Sequence, residues 1–410
     1  MSGGAMNIWL RLALASAWSR RLPVLLVLLA VATSSLLVLF VSQLRADLRT
    51  SFGQAISGVD LLVAPRGSPT EILLYGVFQL GRPTQNLDAA HLERVRGLSQ
   101  VEWAVPVQLG DTYRGRPVWG TEADFFSRVQ VRGQPLRMAE GKVFSAATEA
   151  VLGAEVAKRL AHRLGDRLVL THGRSDGLSR DHDDHPFQVV GVLAATGGPL
   201  DRAVFVSTEG FESIHQGWLF GALAPPSSYT TLWVGLQNRG QVFSARRAIE
   251  SLPGAPLTAA LPGVTLDELW RTLSVVERGF ALVGWAVSIG ALLSVAAVTL
   301  VSLASRRREF AILRAVGAGP AQVAWLILLE AALVGLAGVL LGLLIQQAAV
   351  WWFADFLRIE YGVVMSVLNL PPQSWLSLVG LGMASVAISL LPAWRARRLS
   401  LVDGLHPPVA

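Results

Sequence analysis

No cysteine occurs among the 410 residues. That excludes disulfides, thiolate metal sites and cysteine nucleophiles together, and leaves the redox compartment open. Lysine is nearly absent as well: Lys142 and Lys158 are the only two, so arginine supplies almost all the positive charge. Charged residues make up 16% of the chain against 52% hydrophobic, where a soluble chain has about a quarter charged. The composition is that of a membrane protein with a sizeable soluble part. A G-x-x-x-x-G-K-[ST] phosphate loop is missing too. Lys142 follows Gly141, but Val143 stands where Ser or Thr must bind magnesium and Leu136 occupies the first glycine position; Lys158 follows Ala157. ATP hydrolysis by that device is excluded from this chain. No G-x-S-x-G elbow with a nearby histidine occurs, and the Asp and Glu residues show no spacing that picks out an acid–base pair.

What the chain does have is long uncharged runs. Leu22–Leu44 holds 23 residues without a charge, Gly279–Ser305 holds 27, and Ala315–Ala354 carries only Glu330. Runs of 18 or more apolar residues predict membrane helices, here at 22–44, 279–304, 322–347 and 374–394. Arginines cluster beside them as Arg20-Arg21, Arg306–Arg308 and Arg395-Ala396-Arg397-Arg398. The positive-inside rule then places both termini and the 306–319 loop in the cytoplasm. A signal peptide ending near Ala30-Val31-Ala32 is the competing reading of the first run, which continues too far past Ala32 for an h-region. The net charge of +6 fits anionic headgroups, and no reading motif points to nucleic acid.

Residues 1–21 suit a helix lying in the interface, with Trp9 and Trp18 at headgroup depth. Between the first and second spans, residues 45–277 regain charge, Gly and Pro and alternate short β-rich runs with helical patterns. The strand-like runs are Val59–Ala64, Val101–Leu109, Arg167–Thr171, Phe187–Leu193, Ala203–Val206 and Tyr229–Leu236. Helical patterns are expected at Leu87–Leu98, Glu149–Leu164, Gln241–Leu252 and Thr265–Glu277. The fold class expected is therefore four transmembrane α-helices, one plus three, with a large extracytoplasmic α+β domain between the first and second. The segment 278–398 forms the second membrane part and 399–410 a cytoplasmic tail.

Arg308-Glu309-Phe310-Ala311-Ile312-Leu313-Arg314-Ala315-Val316-Gly317-Ala318 and the ending Leu391-Pro392-Ala393-Trp394-Arg395-Ala396 carry a resemblance to the FtsX-like permease family, which includes the membrane parts of the MacB and LolC/LolE transporters. Thr148–Gly153, Leu164-Gly165-Asp166 and Phe187–Leu193 with Asp201 downstream resemble the MacB-like periplasmic domain. The resemblance implies a permease subunit of an ABC transporter in a bacterial inner membrane, itself non-catalytic. ATP and magnesium would be held by a separate cytoplasmic ATPase. It also implies a coupling helix in the 306–319 loop, with Glu309, Phe310, Leu313, Arg314 and Gly317 as the ATPase-coupling residues. Phe310 and Leu313 are expected to form an apolar plug, flanked by the charges of Glu309 and Arg314. A homodimer of permeases and a periplasmic adaptor or lipoprotein partner complete the implied assembly. An envelope receptor or scaffold using the same loop is the alternative, and an envelope metal-handling component, resting on the His172–His185 stretch, is a further one.

Three further features stay open at this level. Glu330, an ionisable residue in a span, is either functional or paired with an arginine. His172, His182, Asp184 and His185 could hold a divalent metal or belong to a solvated loop. Ile72–Phe78 is either an exposed patch for a lipid or partner, or a buried helix. The outer segment 349–373, with Trp351-Trp352-Phe353, is expected to be a loop anchored by aromatic residues.

Overall fold

The computed structural model describes residues 11–398 apart from 14, 17, 56, 173–179, 182–185, 217–224, 362–363 and 368; side chains at 54, 172, 180, 181, 215, 216, 359–361 and 398 are also outside the description. Contacts divide the chain into two units: Asp47–Ser274 with Ala354–Met365, and Met1–Ala46 with Val275–Phe353 and Ser366–Ala410.

The first unit is built on a mixed sheet. Its main strands are β1 (Leu61–Pro65), β2 (Val101–Tyr113), β3 (Arg116–Thr121), β4 (Met138–Gly141), β5 (Glu149–Leu152), β6 (Phe187–Leu193), β7 (Val204–Ser207), β8 (Thr231–Leu236) and β9 (Leu257–Ala260). They lie in the order β9-β1-β8-β2-β3-β7-β5-β6-β4. Pairs β3–β7 and β5–β6 are parallel; the other neighbours run antiparallel. Every residue of β1, β7 and β8 is buried. Strands covered on both faces read as unbroken apolar runs rather than as alternation, which is how Leu61-Leu62-Val63-Ala64 and Val204-Phe205-Val206 appear in the sequence.

Aromatic side chains fill the layer over the middle of this sheet. Trp119 and Trp233, both fully buried, meet edge to face with ring centres 5.7 Å apart, the arrangement the ring quadrupole favours. Phe125, Phe126, Phe144 and Phe205 close the cluster. The helix Pro69–Gly76 packs there too. Ile72, Leu73, Tyr75, Val77 and Phe78 are all buried, so the Ile72–Phe78 stretch is core and not an exposed patch. Burial pushes the Tyr75 hydroxyl pKa up to about 12, since the charged phenolate is the form that loses most by leaving water.

Glu149–Leu164 departs from the helix expected of it. Its first four residues form β5, held between β6 and β7, and only Ala154–Arg159 is helical. Pairing on both edges outweighs the local helical preference of Glu149-Ala150. Leu87–Leu98 likewise opens with a two-residue strand, Leu87–Asp88, before the helix Ala90–Arg96. Strands β3, β4 and β9 carry no strong sequence signal and were not expected.

Among the described residues, the second unit contains four helices long and apolar enough to cross a membrane. They belong to the helices Arg21–Gln54, Pro262–Ser305, Pro320–Tyr361 and Pro372–Arg398, of 34, 44, 42 and 27 residues. At about 1.5 Å per residue the longest two exceed 60 Å, about twice the hydrocarbon thickness. Hydropathy marks the part of a helix that can cross a membrane; the helix itself runs on through Arg45, Asp47 and Arg49 at one boundary and starts well before Glu277-Arg278 at another. For the same reason the segment 349–373 is not a loop throughout. Its first part, including Trp351-Trp352-Phe353, continues the third span to Tyr361.

Close backbone approach ties the first span to the third. A Cβ on Gly338 would lie 2.8 Å from the Cβ of Val31, and one on Gly342 would lie 2.5 Å from the Ala32 carbonyl oxygen. Small residues at such a seam let dispersion contacts replace the missing hydrophobic drive between helices in lipid. Polar side chains pair across the spans as well. Ser34 and Ser288 share a 2.7 Å hydrogen bond, Ser42 and Ser374 one of 2.8 Å, and the Gln346 amide donates to the Gln43 side-chain oxygen. Gln43 and Gln346 are both fully buried, and away from water each needs its partner inside the protein.

Candidate functional site

The arginine-rich segment after the second span folds as a helix, Arg307–Ala315. Its amphipathic pattern sets which way it faces. Phe310 and Ala311 are buried, at 4% and 5% exposure. They pack against Leu303 of the second span, Val323, Ala324 and Ile327 of the third, and Ala393 and Ala396 of the fourth, with Leu313 partly buried against the same cluster. The face that was expected to form a plug for a partner is thus occupied within the chain. Phe310 anchors the helix to the spans; it does not project from it. The reason is the spacing itself: Phe310 and Leu313 share a stripe, and that stripe meets the apolar ends of three spans.

The opposite face is free of such packing. Arg307, Arg308, Glu309, Ile312, Ala315, Val316 and Gly317 are exposed, with Ile312 at 52% and Val316 at 83%. Arg308, Ile312 and Val316 follow each other at four-residue intervals and so line one side of the helix. Sequence reasoning passed over Ile312 and Val316, although their spacing was visible, because Phe310 is the larger side chain.

Gly317 ends the helix. Its φ of +108° lies in the left-handed region, where a side chain is strained. The turn returns N–H groups to the last carbonyls: Gly317 to Arg314, and Ala318 to Leu313 at 3.0 Å. One residue later the Gly319 N–H donates to the Gln322 side-chain oxygen at 2.9 Å, and Pro320 opens the third span.

Charge holds the inner face from the other side. Arg306 donates from Nε to Glu309 at 2.7 Å and from Nη1 to Glu330 at 3.2 Å. Its guanidinium lies over the ring of Phe310. Arg20, just before the first span, also pairs with Glu330. Ser16, which precedes the first span, accepts from Arg20 at 2.8 Å and donates to Glu330 at 3.2 Å. Glu330 is therefore paired with two arginines, one from each side. A carboxylate this enclosed is stable only with partners. Glu309, exposed itself, is turned back onto Arg306, and Arg314 is half-buried with interactions of its own. The Arg20–Glu330 pair links positions 310 apart, and no local pattern announces it.

The metal reading falls on 182–185 and on the side chain of His172, which lie outside the described residues. Among the described residues no group of three His, Asp or Glu side chains could hold a metal ion. In the sheet unit, the Asp201 carboxylate accepts three hydrogen bonds, from the Thr196 N–H, the Thr196 hydroxyl and the Gly197 N–H, each at 2.8 Å. It pins the loop before β7.

Two family matches cover nearly the whole chain. Residues 22–252 match the MacB-like periplasmic core domain and residues 281–401 the FtsX-like permease C-terminal family. The chain belongs to the FtsX-like permeases with a MacB-like periplasmic domain, a class of ABC transporter permease. It is a multi-pass membrane protein by its four apolar helices and its family. Two solved structures are similar to part of the chain. The periplasmic region of MacB from Actinobacillus actinomycetemcomitans is 12% identical, covering 54% of this chain and 94% of its own, with a TM-score of 0.35. The extracellular domain of the noncanonic ABC-type transporter YknZ from Gram-positive bacteria is 14% identical, covering 48% and 98%, with a TM-score of 0.32. The family matches, rather than these likenesses, carry the assignment. No curated protein matches the chain.

Proposed function

We propose that this chain is the membrane subunit of an ABC system whose ATPase is a separate cytoplasmic protein, and that the helix Arg307–Ala315 is where that ATPase seats. The observation that carries the reading is the two-sided character of this helix. Its inner face is fixed by Phe310 and by the Arg306–Glu330 pair, while Arg308, Ile312 and Val316 stand exposed on the other. A docking element has to be rigid toward its own protein to pass on a push. It also needs an exposed apolar centre with charge at its edge to be gripped. Two copies facing each other, each with an ATPase, would then work in a bacterial inner membrane with both termini cytoplasmic. ATP-driven movement of the ATPases would shift the spans and act on a periplasmic substrate or partner, with a periplasmic adaptor or lipoprotein as its route. Without a phosphate loop in the chain, its own role is transmission and not hydrolysis.

Co-purification tests this. Ile312→Glu and Val316→Glu are expected to abolish recovery of an ATPase with the tagged permease while leaving its thermal unfolding unchanged. Undiminished recovery with the double variant removes the helix as the seat. Recovery of a sensor kinase or cell-wall hydrolase in place of an ATPase would shift the reading to an envelope receptor.

A further inference from the structure

The charges gathered around Glu330 divide into two neutral pairs. Arg306 with Glu309 belongs to the start of the Arg307–Ala315 helix, and Arg20 with Glu330 ties the base of the first span to the third. One bond joins the two pairs, from Arg306 Nη1 to Glu330 at 3.2 Å. Breaking it leaves each carboxylate with an arginine, so the step avoids the cost of a buried charge without a partner. The backbone bends at the same point. The helix of the second span ends at Ser305 and the next begins at Arg307, so the chain turns at Arg306 alone, with φ −104° and ψ 11°. Phe310, one turn further on, is buried among Leu303, Val323 and Ala393 and keeps the helix attached. Among the described residues, that apolar cluster has no member from Arg21–Gln54. A cleft of about 50 Å³ opens there instead, among Val24 and Val27 of the first span, Val298 and Ser302 of the second and Ala331 of the third.

We propose that the Arg306–Glu330 bond is a latch, and that Phe310 is the pivot on which the Arg307–Ala315 helix rocks. Closed, as in this structure, the latch holds the end of the second span to the first and third. Opening hands Arg306 wholly to Glu309 while Arg20 and Ser16 keep Glu330. The end of the second span then swings away from the other walls of the cleft. Ile312 and Val316 follow Phe310 in the helix and Arg306 precedes it, so a force applied to them acts on Arg306 across the pivot. The place of the latch in transmission rests on this helix being the seat of the ATPase; the latch itself does not.

Labelling kinetics test this on the full chain in nanodiscs, without nucleotide or ATPase. The chain has no cysteine, so Ser302→Cys puts a single thiol on the cleft wall. Its rate of reaction with a water-soluble maleimide follows the open fraction, even where that fraction is small. Glu309→Gln removes the partner to which Arg306 moves, so the latch should hold and the rate fall about three-fold or more. Glu330→Gln removes the partner of the closed state and should raise the rate by a similar factor. Both substitutions delete the same negative charge, so their direct effect on the thiol has one sign, and the opposite directions isolate the latch. Ser305→Cys, at an exposed position outside the cleft, should react alike in all backgrounds. Glu309 is exposed, so its variant keeps the fold even where thermal unfolding shows that Glu330→Gln does not. A rate that rises or stays level in Glu309→Gln overturns the latch, because a cluster that only stabilises the fold loosens when either glutamate is lost. The rates are read without an ATPase, so their failure leaves the seat in place, and failure of the co-purification test leaves the latch.

Discussion

The Arg306 guanidinium lies 4.7 Å from the ring centre of Phe310, one helical turn further along. The same arginine ties Glu309 and Glu330. A single side chain thereby joins the start of the exposed helix, its buried anchor and the third span. Phe310→Ala is expected to cost about 3 kcal/mol or more of stability, through the cavity left among Leu303, Val323 and Ile327 and the lost cation–π contact. The thermal midpoint of the purified protein is the readout. If the midpoint holds while ATPase recovery falls, Phe310 acts as a contact for the partner after all.

The glycine seam makes a second prediction. Gly342→Ala would put a methyl group 2.5 Å from the Ala32 carbonyl oxygen, which forces the first and third spans apart. Overpacking of this kind costs about 1–3 kcal/mol. A lower thermal midpoint is expected, and Gly380→Ala, where a Cβ meets nothing within 4 Å, should show none of it.

Asp201→Ala leaves two backbone N–H groups and a hydroxyl of a half-buried loop without their acceptor. A loss of about 1–3 kcal/mol follows from the unpaired donors. Amide hydrogen exchange at Thr196 and Gly197 should rise with it. Unchanged exchange there would mean that other groups hold the loop.

Acid sensitivity is expected at the start of β5. The Ser145 and Ala146 N–H groups donate to the Glu149 carboxylate. The backbone bond from Ser145, ahead of the other contributions, holds the Glu149 pKa below the ordinary value of 4.5. A depressed carboxylate stabilises the folded state above its unfolded pKa, and that contribution is lost as pH falls through the folded value. Stability should therefore be flat from about pH 7 to 5 with respect to this group and decline below. Glu149→Gln should lower stability at pH 7 and flatten the decline. Parallel pH profiles for the two proteins would rule this out.

Much of the membrane unit was legible because its signals are local: a long uncharged run is a span whatever surrounds it. The sheet unit was legible in type but not in detail. Trp119 lies in a strand that the sequence Arg116-Pro117-Val118 does not advertise, and Glu149-Ala150 reads as helix until β6 and β7 flank it. The site divides in the same way. The Arg307–Ala315 helix and its amphipathic spacing could be read, yet which stripe faced inward could not, because that depends on where the other spans end. The partner of Glu330 was beyond reach for a similar reason, since Arg20 meets it only after the chain has folded back over some three hundred residues.

The pairing of Gln43 with Gln346 has a consequence for how the protein is made. The two glutamines lie 303 residues apart, and chains grow at about 5–20 residues per second. For roughly 15 to 60 s of synthesis, the first span holds an amide whose partner does not yet exist. Ser34 and Ser42 wait as well, for Ser288 and Ser374. A nascent or truncated chain thus displays polar groups within its first span that the finished protein conceals. Those groups give a membrane chaperone or protease a chemical mark by which to tell an incomplete subunit from a complete one.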